Sequence, residues 1–508
     1  MRDQKLALKK NAYLYEVLLE NLLNNLDVTD EYILNRIQTI ALHAQKYHCG
    51  RLADGKLENI ALKIGQKINN KPEKKGFKLE PNTTVHVATS ISTIGGHTRV
   101  MSKWAEIDKN SIIVLTNQIN EIGDFIKEYW DEHEIKHFRI DASLSIIEKS
   151  IILRNIGKQA KRIILHQHPN DVIPICAFAK EINSPVILFN HAHFTFSLGS
   201  TISDGFVNTF EYFRKKSIND RLAKKAVLLE SYFFMQESSS NPIDKKSAKL
   251  SLGYEENDDI ILSMAQSNYF KPTKDENFFK TIRNLIIKLP KVKILIVGLN
   301  KDAEFIPLWA KEHPQIIIIG IVENPILYFQ ASDICLESFP FPSLGVLYES
   351  TYFGEAFPVP SYRNKEGILK VDMQPLLPFD YIPKSEEDLI NYISRLFTDK
   401  EKTRKEAILL KQNLASYINN SKNAIDKIYR QIDKRTNPKS ISTIEMKATD
   451  DDIVLASLRD LNLTASLFQY FSFKKALTYG NQAVKLGLFT KKQFMIRIIK
   501  EIVKLIIK

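Results

Sequence analysis

The sequence predicts an α/β protein of two doubly wound lobes with helical extensions at both ends. Three observations predict it: two successive series of short β-branched runs, helix-like stretches between the runs, and helical periodicity before the first series and after the second. Such alternation is the pattern of a parallel sheet with crossover helices, so each series reads as a Rossmann-like lobe. Ligands are then expected at the carboxyl ends of the strands, in the cleft between the lobes.

The elements follow in order. From about Lys5 to Asn69 apolar residues recur at helical spacing, as in Tyr15, Leu18, Leu19, Leu22 and Leu23, so residues 1–75 form a helical N-terminal region. The polar stretch from Asn69 to Lys75 breaks that pattern. Strands are expected at Thr84–Thr89, Ser111–Thr116, Arg162–His166 and Pro185–Asn190, within a first lobe of residues 76–236. After the polar linker Glu237–Lys246, a second series at Ile260–Ala265, Val292–Gly298, Gln315–Gly320 and Asp333–Glu337 predicts a second lobe, residues 247–435. The chain turns helical beyond about Thr398, and residues 436–508 read as a helical tail.

With 508 residues the chain is too long for one ordinary core, and 44% apolar with 26% charged residues is ordinary globular composition. No apolar run approaches the roughly 18–20 residues that span a bilayer, and the first residues carry no signal-like apolar stretch, so a cytoplasmic location is expected. Cys49, Cys176 and Cys335 have no paired spacing, which suits reduced core thiols. The net charge of +12 comes from scattered basic residues without a recognition motif, so nucleic acid is not an expected partner; a diphosphate ligand or an anionic membrane accounts for the surplus equally well.

Four stretches carry candidate chemistry. The first strand runs into Gly95-Gly96-His97, where a glycine turn before a helix N-terminus permits close approach by an anionic or hydroxylated ligand. His97 at its mouth is suited to take a proton from an acceptor hydroxyl; a turn that merely packs helix on sheet is the alternative. His166-Gln167-His168 and Asn190-His191-Ala192-His193 gather at neighbouring strand ends. That makes His168, His191 and His193 candidates for sugar or acceptor contacts, with structural hydrogen bonding as the alternative. No Cys, Asp or Glu at a recognised spacing completes a metal shell, and no metal is expected. In the second lobe Asn268 and Lys271 follow a strand end, where an ammonium can neutralise a leaving diphosphate. Finally, the strand at Asp333–Glu337 enters a Pro-rich loop, then Ser343, Leu344 and Gly345 open a helix whose free N–H groups can hold a diphosphate, with Glu349 one turn on.

The run LESFPFPSLGVLYES resembles the donor-site loop and helix of GT-B glycosyltransferases, in spacing nearest the O-GlcNAc-transferase-like group. The resemblance implies that Glu349 holds the ribose, that the backbone at Ser343, Leu344 and Gly345 holds the diphosphate, and that Lys271 contacts phosphate, with Asn268 standing where the group has Gln. It also implies that the Gly95-Gly96-His97 loop lies on the acceptor side, with His97 as base or sugar-orienting group. Retaining GT-B families carry a Glu eight positions before the ribose carboxylate; here that residue is Phe341, which points to inversion. No tetratricopeptide array of roughly 34-residue period precedes the lobes.

The expected function is transfer of a sugar from a nucleotide sugar, a UDP-sugar, to a glycan, lipid-linked or protein acceptor, with no cofactor and no metal. Two rivals share the scaffold: a nucleotide-sugar 2-epimerase, which needs carboxylates near C2 where the first lobe offers His, Asn and Gln, and a non-catalytic partner subunit. The last helix, Lys491–Lys508, is amphipathic, with Arg497, Lys500, Glu501, Lys504 and Lys508 at helical spacing beside a wide apolar face. It is expected either to dock on its own domain or to seat the protein peripherally on the inner face of an anionic membrane.

Overall fold

The computed structural model describes residues 2–69, 78–91, 96–180, 182–231, 243–273, 276–322, 324–362, 382–442, 449–457, 459 and 461–507. Most of the two polar linkers anticipated from sequence, and Gly95, lie outside these residues.

Two parallel sheets organise the chain. The first has seven strands, β1 (Thr84–Ala88), β2 (Ser111–Leu115), β3 (Lys136–Arg139), β4 (Arg162–His166), β5 (Val186–Phe189), β6 (Gly205–Asn208) and β7 (Ala226–Leu228), in the order β3-β2-β1-β4-β5-β6-β7. The second has five, β8 (Ile260–Met264), β9 (Lys293–Val297), β10 (Ile316–Gly320), β11 (Ile334–Leu336) and β12 (Phe357–Val359), in the order β10-β9-β8-β11-β12. In both, the order reverses at the first strand of the series, which opens a crevice at the strand carboxyl ends. The two doubly wound lobes and the helical ends are as the sequence predicts. β1 and β2 are buried along their whole length, as expected for strands covered by helices on both faces.

The first sheet is covered differently on its two faces. Val85, Val87, Ile163 and Leu165 share one core with the N-terminal helices Arg2–Leu23, Asp30–Lys46 and Gly55–Lys67 and with Leu463, Leu467, Ala476 and Ala483 of the tail. Both chain ends thus form one helical layer, joined by the Tyr13 hydroxyl donating to the Tyr479 carbonyl at 2.7 Å and by His48 with Asp452 at 2.8 Å. On the other face Trp104, Ile164, Phe189 and Val207 meet Ile425, Ile428 and Tyr429 of helix Ser421–Gln431, so the chain crosses back from the second lobe to the first before the tail begins. All three cysteines are buried thiols. Among the described residues no helix is long and apolar enough to cross a membrane.

Candidate functional site

The first lobe lines its side of the cleft with imidazoles. Gly96 begins helix Gly96–Ile107 and is exposed, and a Cβ there would meet none of the described atoms within 4 Å. His97 follows. Its Nε2–H donates to the carbonyl of His166 at the end of β4. A carbonyl only accepts, so Nε2 carries the proton and Nδ1 keeps a lone pair, which fixes both the tautomer and the direction of the basic nitrogen. Burial pushes the His97 pKa down to about 4, so the ring is neutral at pH 7.

Beneath His97 the imidazoles bond to one another. His86 Nδ1 lies 3.0 Å from His166 Nε2, and His166 Nδ1 lies 2.9 Å from His191 Nε2. Neutral rings can satisfy both contacts only if each junction shares a single proton, so the three tautomers are set together. Burial lowers His86 to about 4 and takes His166 and His191 well below the ordinary imidazole value, with repulsion between neighbouring rings adding to it. The His191 ring meets His97 edge-on at 4.5 Å between centroids, and the His168 ring is 5.9 Å from His97. His193 stands apart: it stacks on Phe213 at 4.1 Å, burial lowers it to about 3, and its buried Nε2 has no partner. Among the described residues no three His, Cys, Asp or Glu side chains converge as a metal-ligand set.

Two buried charges hold these loops. Asp171 accepts from the hydroxyls of Thr89 (2.7 Å) and Thr116 (2.8 Å) and from the Ile173 N–H (2.9 Å), tying the ends of β1, β2 and β4 together. Arg221, fully buried, donates to the carbonyls of Leu52 (3.1 Å), Ala192 and Thr195 (2.7 Å) and to the Ser197 hydroxyl, so it shapes the loop that carries His191 and His193.

The second lobe offers backbone and small polar groups instead. β8 ends in the short 3₁₀ turn Ser267–Phe270, which contains Asn268 and is followed by Lys271. At the end of β9, Gly298 has φ +85°, and a Cβ there would lie 2.5 Å from the Ala265 carbonyl, so only glycine lets this loop run beside the β8 end. The Phe341 N–H donates to the Tyr269 carbonyl at 3.3 Å, bringing the loop after β11 alongside Asn268 and Lys271. That loop is braced from below: buried Glu337 accepts from the N–H (2.8 Å) and hydroxyl (3.0 Å) of Ser361. Ser343 then precedes helix Leu344–Gly354, with Gly345 in its first turn. The Ser343 backbone (φ −100°, ψ 65°) does not let its hydroxyl cap the helix, and the buried Oγ finds no hydrogen-bond partner.

Glu349, on that helix, reaches across the cleft. Its Oε1 lies 3.9 Å from Nη1 of Arg99, two residues beyond His97, and the two side chains are 19% and 21% exposed. Burial raises the Glu349 pKa while the Arg99 guanidinium pulls it back. Arg99 Nε is buried without a partner. Phe210 of the first lobe stacks on Tyr348 of the second at 6.3 Å, a further contact between the lobes. Arg99, His86 and Arg221 were not singled out from sequence. Arg99 sits one residue after the Gly-Gly-His-Thr run and had a local signal; His86 bonds a residue 80 positions away, and the partners of Arg221 lie 24 to 169 positions away.

No protein-family model and no curated protein matches the chain. Solved structures are similar in shape. HepE of Anabaena, in complex with UDP and glucose, superposes with a TM-score of 0.52 at 14% identity, over 68% of this chain and 99% of that one. A mutant O-GlcNAc transferase of Thermobaculum terrenum gives a TM-score of 0.48 at 10% identity over 83% of this chain and 82% of its own. The UDP-GlcNAc 2-epimerase of Neisseria meningitidis, bound to UDP-GlcNAc, gives 0.42 at 13% over 69% and 100%. At such identities the likeness to HepE establishes the fold alone. The chain has a GT-B-like fold of two Rossmann-like lobes.

Proposed function

We propose that the protein is a glycosyltransferase that moves a sugar from a UDP-sugar to a hydroxyl of a glycan, lipid-linked or protein acceptor, with inversion. The observation that carries the reading is the juxtaposition of Arg99 and Glu349: it sets the His97 helix start opposite the Ser343 helix start across one cleft. In this reading Glu349 accepts hydrogen bonds from the ribose, and Ser343 with the N–H groups at Leu344 and Gly345 receives the diphosphate, helped by Lys271 and Asn268. The acceptor oxygen attacks the anomeric carbon from the face opposite the diphosphate, its proton passes to His97 Nδ1, and the bond to the leaving oxygen breaks with its electron pair on UDP. Lys271, Arg99 and the helix end offset the charge that develops there, so the reading requires no metal ion. Gly96 leaves room for the acceptor, and His168, His191 and His193 border it. Phe341, packed with Tyr269, Phe194 and Leu455, stands where the resemblance puts the Glu of retaining families, which favours inversion.

Incubating the protein with a panel of radiolabelled nucleotide sugars tests this. Transfer, or slow donor hydrolysis that requires Glu349, supports it. An epimerised sugar formed without acceptor makes the protein an epimerase, and no donor binding across the panel makes it an inert relative of the fold.

A further inference from the structure

Helix Lys491–Ile507 does not bury its apolar face on the protein. It is anchored by a narrow edge: Phe494, 2% exposed, sits over Gly480, where any side chain would collide with its ring, and packs against Phe468 and Phe489. Arg497 and Glu501 pair along the same edge. The apolar side faces away. Met495, Ile496, Ile499, Ile502 and Val503 are 41–56% exposed, and their spacing of three and four residues makes them one strip along the helix. Lys491, Lys492, Lys500 and Lys504 are exposed on the same helix. Its single carboxylate, Glu501, is occupied by Arg497 and by Lys504 at 3.1 Å.

We propose that this strip docks flat on an anionic lipid surface, its isoleucines entering the boundary between headgroups and chains while the lysines meet lipid phosphates. An exposed apolar strip on a folded protein calls for a partner, and this one is bordered by lysines while the helix's one carboxylate is already paired. A second copy of the helix would set lysine against lysine, whereas an anionic bilayer supplies the opposite charge together with an apolar layer. The inference stands apart from the reading of the cleft, since it uses none of the cleft residues.

The test uses the full chain and co-sedimentation with vesicles of phosphatidylcholine alone or mixed with phosphatidylserine. The wild-type protein binds the mixed vesicles, and salt weakens the binding. Ile499→Asp with Ile502→Asp abolishes it without moving the melting temperature, because both side chains are solvent-exposed. Replacing Lys491, Lys492, Lys500 and Lys504 by Gln weakens binding by about fivefold per lysine. The proposal is overturned if the wild type ignores the mixed vesicles, if both variants bind as the wild type does, or if the protein is a dimer that the paired Asp substitution dissociates.

Discussion

The two lobes prepare their halves of the cleft by opposite means. The first lobe fixes its imidazoles in advance: His86, His166 and His191 bond to one another, and His97 bonds to the His166 carbonyl, although His193 Nε2 and Arg99 Nε stay unpaired. The second leaves a group waiting: the Ser343 hydroxyl is buried at a helix start with no partner. A base must be held in one tautomer and direction before substrate arrives, so its neighbours bond it in advance. A site for an anion works best when its donors are not already spent. The difference therefore separates proton handling from charge handling, and each lobe can be tested for its own task.

The largest expected effect is at His97. Replacing it with Ala lowers turnover by about two to four orders of magnitude if Nδ1 is the general base, with donor affinity little changed. Turnover and UDP affinity measured on the same preparation check it. An unaltered rate at saturating acceptor would leave the first lobe with a packing turn and no base.

The lobes also differ in their response to acid. His86 and His97 have folded pKa values of about 4, below the 6.5 of an ordinary imidazole, so as pH falls the unfolded chain takes up protons first. Their stability contribution is complete above about pH 7 and is lost toward pH 4, at up to about 1.4 kcal/mol per pH unit for each ring. His166, His191 and His193 act in the same direction; Glu58, raised by burial to about 7, acts in the opposite one and offsets about one of them. Urea unfolding followed by Trp104 and Trp130 in the first lobe and Trp309 in the second checks the sign. The first-lobe transition moves to lower urea between pH 7 and 5 while the second moves less; equal shifts would mean that the imidazole chain does not stay neutral.

Across the cleft, Glu349→Ala weakens donor binding by about 1.5–3 kcal/mol, the range for hydrogen bonds to a charged group. Calorimetry with UDP reads it. Glu349→Gln keeps most of the shape and one accepting oxygen but removes the charge, so it retains at most part of the ribose contact while losing the attraction to Arg99, and a smaller loss than in the Ala variant is expected.

How much of this was readable in the sequence follows from where each interaction lies along the chain. β1, β2, β4, β5 and β8–β11 are continuous apolar or β-branched runs because helices cover them, and they were legible. β3 reads Lys136-His137-Phe138-Arg139 because it is a half-exposed edge, and β12 carries Pro358, which an edge strand tolerates. β6 lies inside the sheet but opens with Gly205, where a side chain would collide with Ile432 from the returning helix; a residue 227 positions away sets that choice. The site divides in the same way. Loop residues such as Ser343 and His97 stand out beside strand ends, whereas the bond from His86 to His166 depends on β1 and β4 lying side by side.

The smallest effect is the most discriminating, and it concerns Ser343. If the hydroxyl were an ordinary helix cap, Ser343→Ala would cost the fold about 0.5–2 kcal/mol whether or not a ligand is present. The structure gives it no capping bond, and a buried hydroxyl without a partner costs stability, so removing it should leave the ligand-free protein as stable as before or slightly more so. If the hydroxyl meets the diphosphate, the same substitution weakens UDP binding by about 0.5–1.5 kcal/mol, the net value of one hydrogen bond. Melting temperatures without and with saturating UDP separate the two. An unchanged ligand-free midpoint with a reduced UDP-induced rise assigns Ser343 to the ligand. A lowered ligand-free midpoint with an undiminished rise returns it to the helix, and the contrast between a base bonded in advance and an anion site left open would then fail at its sharpest point.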